Sequence, residues 1–130
     1  MSEARYVEEH GAIVAVLRHY IEGNAMAGSV LVKPAFHPQA TIFGQNGQEV
    51  FGPEVQELYD AVDALPPYPG ARAAIARIDI AGNAASARVD SDNMAGNRYT
   101  DFLNLLKVDG TWVIVSKIYY AHLSGARDVH

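Results

Sequence analysis

Among the side chains that could act as a base or a nucleophile, Lys117 and His37 stand out by their sequence context. Lys117 lies in an apolar run near the C-terminus. If that run buries it, the loss of hydration lowers its pKa, and it could act as a base, form an imine or anchor an anionic ligand. Otherwise it is a rim lysine whose amine reaches solvent. His37, between Phe36 and Pro38, could be a general base or ligand contact, or only a local hydrogen-bonding residue.

Three tyrosines are further candidates for contact with a small molecule. Tyr20 carries a hydroxyl that needs a hydrogen-bond partner when its ring is buried. Tyr59 and Tyr119 could supply a stacking surface for a planar ligand. Aromatic side chains at such positions also simply fill cores, so the sequence leaves a binding role and a core role open for all three.

The motifs of several other kinds of site are missing. The five histidines lack the HExxH spacing or any comparable set of metal ligands. The stretch Asp90 to Asn93 resembles a calcium loop only loosely, because Met94 takes a ligand position and Gly96 falls one place late. There is no cysteine, no glycine-rich phosphate loop and no GxSxG elbow. We therefore predict no metal and no cofactor.

Hydrophobic periodicity predicts three helices followed by a meander of strands. The helices are expected at about residues 3–23, in a short segment capped by Ser29, and from Gly52-Pro53-Glu54 up to the proline-rich stretch 65–70. Strands are expected at residues 40–43, 49–51, 72–81, 84–91, 98–108 and 111–121. No linker interrupts this order, so residues 1–130 should form a single α+β domain around one core.

The pair Asp109-Gly110 predicts a two-residue type I′ turn, which also fixes the register of the last hairpin. On one side, the expected pairs are Leu106 with Val113, Asn104 with Val115, Phe102 with Lys117, and Thr100 with Tyr119. On the other side, they are Lys107 with Trp112, Leu105 with Ile114, Leu103 with Ser116, Asp101 with Ile118, and Tyr99 with Tyr120. Both sides are largely apolar.

Two apolar faces mean that something covers each side of the sheet. The helices can cover only one of them. The simplest cover for the other is a second copy of the sheet, so we predict a two-fold homodimer through the sheet face. The alternative is a closed two-layer monomer.

Composition argues against polyanionic partners and a membrane. The formal net charge is −5, and ten Lys and Arg residues are scattered along the chain without forming a basic stripe. The first residues carry acidic side chains and no apolar run of signal-peptide length. We therefore expect no nucleic-acid or membrane partner and a cytoplasmic location.

Three stretches and their order resemble the nuclear transport factor 2-like superfamily. They are Tyr20 with Gly28-Ser29 after the first helix, the run Phe36-His37-Pro38-Gln39-Ala40-Thr41, and Asp109-Gly110-Thr111-Trp112. Within that superfamily the sequence is most similar to the SnoaL-like branch and to the proteins called putative lumazine-binding, over residues 7–122. The resemblance implies a cone-shaped, cystatin-like fold: a curved antiparallel sheet packed against three N-terminal helices, usually dimeric, with a cavity between sheet and helices.

The resemblance also implies roles for single residues. Tyr20 resembles the helix-one tyrosine that ketosteroid isomerase uses to stabilise an oxyanion. The isomerase's basic aspartate would fall near Gly44, which has no side chain, and this argues against steroid isomerase chemistry. Aligning the last strand on its turn glycine places Val115, Lys117 and Tyr119 on the cavity side. The predicted register then brings Asn104 and Phe102 with them.

These expectations lead to one leading function and two alternatives. The first is a protein that binds a small, planar, oxygenated molecule through Tyr20, Asn104, Lys117 and the flanking aromatic residues. The second is a cofactor-free isomerase, dehydratase or cyclase acting on a carbonyl compound, with Lys117 or His37 as base and Tyr20 stabilising negative charge. The third is a non-catalytic dimerisation or partner-binding module whose cone is filled by its own side chains.

Overall fold

The computed structural model describes residues 5–123, apart from the side chain of Asn46, so the predicted start of the first helix at residue 3 lies outside it. The helices and strands follow one another in the order that the sequence predicts, and the α+β class is confirmed. In chain order they are α1 (Tyr6–Ala25), α2 (Ser29–Val32), a 3-10 turn (Lys33–Ala35), β1 (Phe36–Asn46), β2 (Glu49–Phe51), α3 (Val55–Asp63), β3 (Arg72–Ala81), β4 (Ala84–Met94), β5 (Asn97–Val108) and β6 (Thr111–His122).

The six strands form one curved sheet in the order β2-β1-β6-β5-β4-β3. Four of its strand pairs are antiparallel, and β1 with β6 is parallel, so the sheet is mixed where a wholly antiparallel one was expected. The first strand begins at Phe36, four residues earlier than predicted, because Phe36 already pairs with Ile114 of β6. The parallel pairing therefore extends the strand through Pro38, where local propensity alone gives no strand signal.

The core lies between the helices and one face of the sheet. α1 buries Ile13, Leu17 and Tyr20 against strand residues such as Leu103 and Leu105. Removing each such large apolar side chain from water stabilises the fold by roughly 1.5–3 kcal/mol. A capping box between Glu54 and Glu57 fixes the start of α3, whose residues Val55, Leu58, Tyr59 and Val62 are also buried.

The hairpin of β5 and β6 contains a β-bulge that the sequence did not predict. The turn forms as expected, with positive φ at Asp109 and Gly110, and Leu105 pairs with Ile114 as predicted. Asn104 then pairs with Ser116, so Val115 is an extra residue in β6. Beyond this point the expected pairings were wrong: the observed pairs are Leu103 with Lys117, Phe102 with Ile118, Asp101 with Tyr119, Thr100 with Tyr120 and Tyr99 with Ala121.

The bulge changes which side chains of β6 share a face. In a regular strand, Trp112 and Lys117 point to opposite sides because successive side chains alternate. With the extra residue between them, both are buried on the helix side, and their exposed fractions are 2% and 5%. The helix-covered face thus receives Trp112 and Ile114 before the bulge, and Lys117 and Tyr119 after it.

Candidate active site

A cavity of about 190 Å³ lies between α1, α3 and the helix-covered face of the sheet. Most of its wall is apolar or aromatic, with side chains from α3 and five aromatic rings. The polar side chains in its lining include Asp101, Lys117, Ser91 and Asn24. The rings belong to Tyr20, Phe51, Tyr68, Tyr99 and Tyr119. A pocket with these features, mainly apolar with a few convergent polar groups, is typical of small-molecule sites.

A short hydrogen bond at the cavity wall joins Tyr20 of α1 to Asp101 of β5. The Tyr20 hydroxyl donates a hydrogen bond of 2.6 Å to Asp101 Oδ2, and both residues are buried. Burial, the charge of Asp101 and this hydrogen bond raise the pKa of Tyr20 well above its ordinary value. The tyrosine therefore keeps its proton, and the hydrogen bond orients the carboxylate at the cavity wall.

Lys117 of β6 lies beside this pair. Its Nζ is 4.7 Å from the ring centroid of Tyr20 and 5.1 Å from that of Tyr119. Burial lowers the pKa of Lys117, and the negative charge of Asp101 opposes that effect without cancelling it. Lys117 takes part in none of the salt bridges formed among residues 5–123. A larger fraction of this amine is therefore neutral near neutral pH than for a lysine in water.

Gly44 of β1 makes room for the aromatic wall of the site. A Cβ at this position would overlap the ring of Tyr119, which packs directly over the glycine. The resemblance placed the isomerase's basic aspartate near this glycine. In this chain the carboxylate of the cavity instead comes from Asp101 on a different strand.

Sequence reasoning missed Asp101, because the predicted register put it opposite Ile118 and away from Lys117. Asp101 is nevertheless 4% exposed and lies on the same face of β5 as the buried Leu103 and Leu105. A single acidic residue on the apolar face of a strand was the available signal, since a buried carboxylate needs a partner.

The remaining predicted site residues lie away from the cavity. Phe102 and Asn104 are on the opposite, exposed face of the sheet, a correction that follows from the bulge. Asn104 Nδ2 donates to Ser116 Oγ at 3.3 Å. The structure thus brings together Tyr20, Lys117 and Tyr119, and separates Phe102 and Asn104 from them.

His37 and Tyr59 are also separate from this cavity. His37 Nδ1 accepts a hydrogen bond of 3.0 Å from the backbone N–H of Gln39, which is the local role that the sequence left open. Tyr59 packs edge-on against Phe36 in the core, and Lys33 Nζ lies 5.3 Å from the centroid of its ring. Both residues belong to the region where the 3-10 turn, β1 and α3 meet.

The described residues also bear on metal binding and membrane insertion. Within residues 5–123, no three His, Cys, Asp or Glu side chains lie together in a way that could bind a metal ion. In the same range, no helix has the length and apolar character needed to cross a bilayer.

The comparison with known proteins agrees with this architecture. The model of the family described as "Putative lumazine-binding" matches residues 8–120. The chain belongs to this family. Its membership and its fold confirm the nuclear transport factor 2-like (NTF2-like) resemblance.

Individual relatives extend over nearly the whole chain. The protein named Aldolase FrzH from Cladobotryum sp. is 31% identical over 115 residues, which cover 88% of this chain and 92% of that protein. A crystal structure of an NTF2-like protein of unknown function from Shewanella baltica is 54% identical, with a TM-score of 0.88 over 92% of this chain and 98% of that one. Another NTF2-like protein of unknown function, from Methylobacillus flagellatus, is 34% identical, with a TM-score of 0.86 over 90% and 94% of the two chains.

Proposed function

We propose that this protein is an enzyme that transfers a proton at the carbon next to the carbonyl group of a small molecule. The observation that carries the proposal is the grouping of Asp101, Tyr20 and Lys117 at the wall of an otherwise mainly apolar cavity. A carboxylate, a tyrosine that keeps its proton and a desolvated amine form an acid–base set in a site of low polarity.

Each of the three side chains has a distinct role in the proposed reaction. Asp101 is the base: Tyr20 holds its Oδ2, and the other carboxylate oxygen accepts the proton from the α-carbon. The electron pair of the C–H bond moves toward the carbonyl oxygen, where the Lys117 amine supplies stabilisation. Tyr20 acts as a positioning residue because its hydrogen bond fixes the orientation of the carboxylate.

The resulting carbanion equivalent has two possible fates. It can take a proton back, which gives exchange or isomerisation, or it can attack a second carbonyl carbon, which forms a carbon–carbon bond. The relative named Aldolase FrzH, 31% identical over most of its length, supports chemistry of the second kind. The cavity limits the reactants to small molecules, because its volume of about 190 Å³ is below the roughly 300–1,000 Å³ of typical ligand pockets.

Hydrogen–deuterium exchange of a small ketone tests this function directly. Cyclohexanone is incubated with the protein in D₂O, and loss of its α-proton signal is followed by NMR. We expect exchange faster than in buffer, and a loss on the order of 10²–10⁴-fold in Asp101→Asn. Asp79→Asn is the matched control, because Asp79 lies exposed on β3 in an ion pair with Arg77. If none of a panel of cyclic and short-chain ketones exchanges faster than in buffer, the proposal is wrong.

A second function, binding without turnover, is favoured by the aromatic lining of the cavity. Five rings offer stacking faces to a planar molecule, and the family carries the description "Putative lumazine-binding". For this function, lumazine should raise the melting temperature of the protein and the α-protons of the ketones should not exchange. Lumazine should raise the melting temperature of Tyr68→Leu by less than it raises that of the wild type. An equal rise in both proteins would argue against stacking on this wall.

We also propose that the protein forms a homodimer through the exposed face of the sheet. Phe43, Ile118 and Phe102 pair across β1, β6 and β5, and form a row on this face. All three are exposed, as is the neighbouring Tyr120. A contiguous apolar row of this kind on a sheet is typically covered by a partner, and a two-fold axis would place it against its own copy.

A further inference from the structure

We infer that Lys117 forms a covalent imine with the carbonyl carbon of a ketone or aldehyde that enters the cavity. This inference rests on the proposed function and deepens it, because it assigns a covalent step and a substrate class to the same site. The class is a small neutral carbonyl compound, of a single ring or a short chain, with at least one hydrogen on the α-carbon.

The chain has three lysines, and their surroundings differ in the way that imine chemistry requires. Lys107 Nζ is 2.8 Å from Glu9 Oε2 and is engaged in this ion pair. Lys33 is exposed, beside the ring of Tyr59. Lys117 is the lysine that is buried, lines the cavity and lies outside the ion pairs formed among residues 5–123.

An imine-forming lysine must be neutral when it attacks, because an ammonium group has no free electron pair. Burial is the largest influence on Lys117 and favours the neutral amine. The carboxylate of Asp101 favours the ammonium form to a smaller extent. The rings of Tyr20 and Tyr119 lie at cation–π distance from Nζ. Burial in the cavity wall therefore shifts this amine toward the neutral form that can attack a carbonyl carbon.

The proposed step balances without an oxidant or a reductant. The neutral Nζ attacks the carbonyl carbon, and the π electron pair moves to the oxygen. One N–H proton is transferred to that oxygen, and a solvent proton delivered through Asp101 then releases it as water, leaving a protonated imine. The Asp101 carboxylate removes the α-proton to give an enamine. Reprotonation of the enamine and addition of one water molecule regenerate the free ketone and Lys117.

Reductive trapping tests the inference. The protein is incubated with cyclohexanone and sodium cyanoborohydride, which reduces iminium ions in preference to free ketones, and is then studied by intact mass and peptide mapping. We expect one adduct per chain, with the mass of cyclohexanone less one oxygen, on the peptide that contains Lys117. The adduct should be lost in Lys117→Met and Lys117→Arg and retained in the control Lys33→Met.

Circular dichroism and thermal melting establish that the variants fold, and Lys117→Arg is the second variant should Lys117→Met fail to do so. Labelling of Lys33 or Lys107 to the same extent as Lys117 would overturn the inference, and so would the absence of any adduct.

The exchange assay separates a failure of this inference from a failure of the proposed function. If the wild-type protein exchanges the α-protons, Asp101→Asn loses that exchange and no adduct forms, the acid–base function stands and the imine is wrong. If the adduct forms at Lys117 and the α-protons never exchange, the imine stands and the proposed proton transfer is wrong. If neither adduct nor exchange is seen, both are wrong.

Discussion

Lys117 of β6 pairs with Leu103 of β5, whereas an unbroken hairpin would pair it with Phe102. The shift arises from the single extra residue Val115, which reverses the alternation of the side chains that follow it. As a consequence, Lys117 faces the cavity together with Asp101, and Phe102 lies on the outer face. The candidate acid–base pair exists because of this bulge.

Replacing Lys117 by methionine should stabilise the fold at neutral pH and abolish the chemistry. The methionine has a similar length and carries no charge to desolvate, so we expect a gain of about 0.5–2 kcal/mol in the free energy of unfolding. Urea denaturation of the variant and the wild type measures this difference. A less stable variant would mean that the Lys117 amine makes favourable contacts in addition to those with the rings of Tyr20 and Tyr119.

The stability difference between Lys117→Met and the wild type should depend on pH. Because burial lowers the folded-state pKa of Lys117, the folded chain binds this proton less readily than the unfolded chain. The destabilisation of the wild type by the buried charge of Lys117 is therefore complete below the folded pKa. It disappears as the pH rises to the ordinary pKa of 10.5. The free energies of unfolding of Lys117→Met and the wild type, measured by denaturation, should therefore approach each other as the pH rises over this range. Those of Lys33→Met and the wild type should not approach each other.

Gly44→Ala should destabilise the protein and disturb the site. The new methyl group would overlap the Tyr119 ring, which would have to shift from its place beside Lys117. Overpacking of this kind typically costs 1–3 kcal/mol, so we expect a loss of about that size together with slower ketone exchange. Gly11→Ala is the control, because the space around Gly11 in α1 is open, and it should gain about 0.5–1 kcal/mol. A tolerated Gly44→Ala would show that the Tyr119 ring moves freely.

Glu9 should make part of the stability depend on pH in the acid range. Its carboxylate accepts hydrogen bonds from Lys107 Nζ at 2.8 Å and from Trp112 Nε1 at 2.7 Å, and these contacts lower the pKa of Glu9. The stabilisation is present above the ordinary pKa of 4.5 and is lost as the pH falls through the lowered folded value.

Fluorescence of Trp112, the single tryptophan, reports on this contact. Glu9→Gln should be less stable than the wild type at neutral pH and should show a smaller loss of stability on acidification. The neighbouring Glu8→Gln is the control, since Glu8 is exposed and forms an i,i+3 ion pair with Arg5 at the surface. Identical acid profiles for Glu9→Gln and wild type would contradict the assignment.

Ile118→Asp should convert the proposed dimer to a monomer. Ile118 is 52% exposed at the centre of the row formed with Phe43 and Phe102, and a charge there would be desolvated by a second sheet. Light scattering after size-exclusion chromatography measures the mass of both proteins. Val30→Asp, at a more exposed site on α2, should remain dimeric. A wild-type protein that is monomeric at every accessible concentration would overturn the dimer proposal.

Local patterns in the sequence determined the elements and the family. The helical periodicity around Ile13 and Leu17 predicts α1, and the Asp109-Gly110 turn predicts the last hairpin and its first pairs correctly. The stretches around Tyr20 and Phe36 carry the NTF2-like resemblance that the fold and the family match confirm. These features could be predicted because each depends on residues close together in the chain.

The tertiary structure alone decided which residues share the cavity. A strand alternates with a period of two only while its register is unbroken, and no residue type at Val115 marks the bulge in the sequence. β6 pairs on one side with β5, its neighbour in the chain, and on the other side with the distant β1, where Phe36 pairs with Ile114. The meeting of Tyr20, Asp101 and Lys117 is therefore a property of packing between α1 and two strands, and contacts between distant segments are invisible to a local pattern.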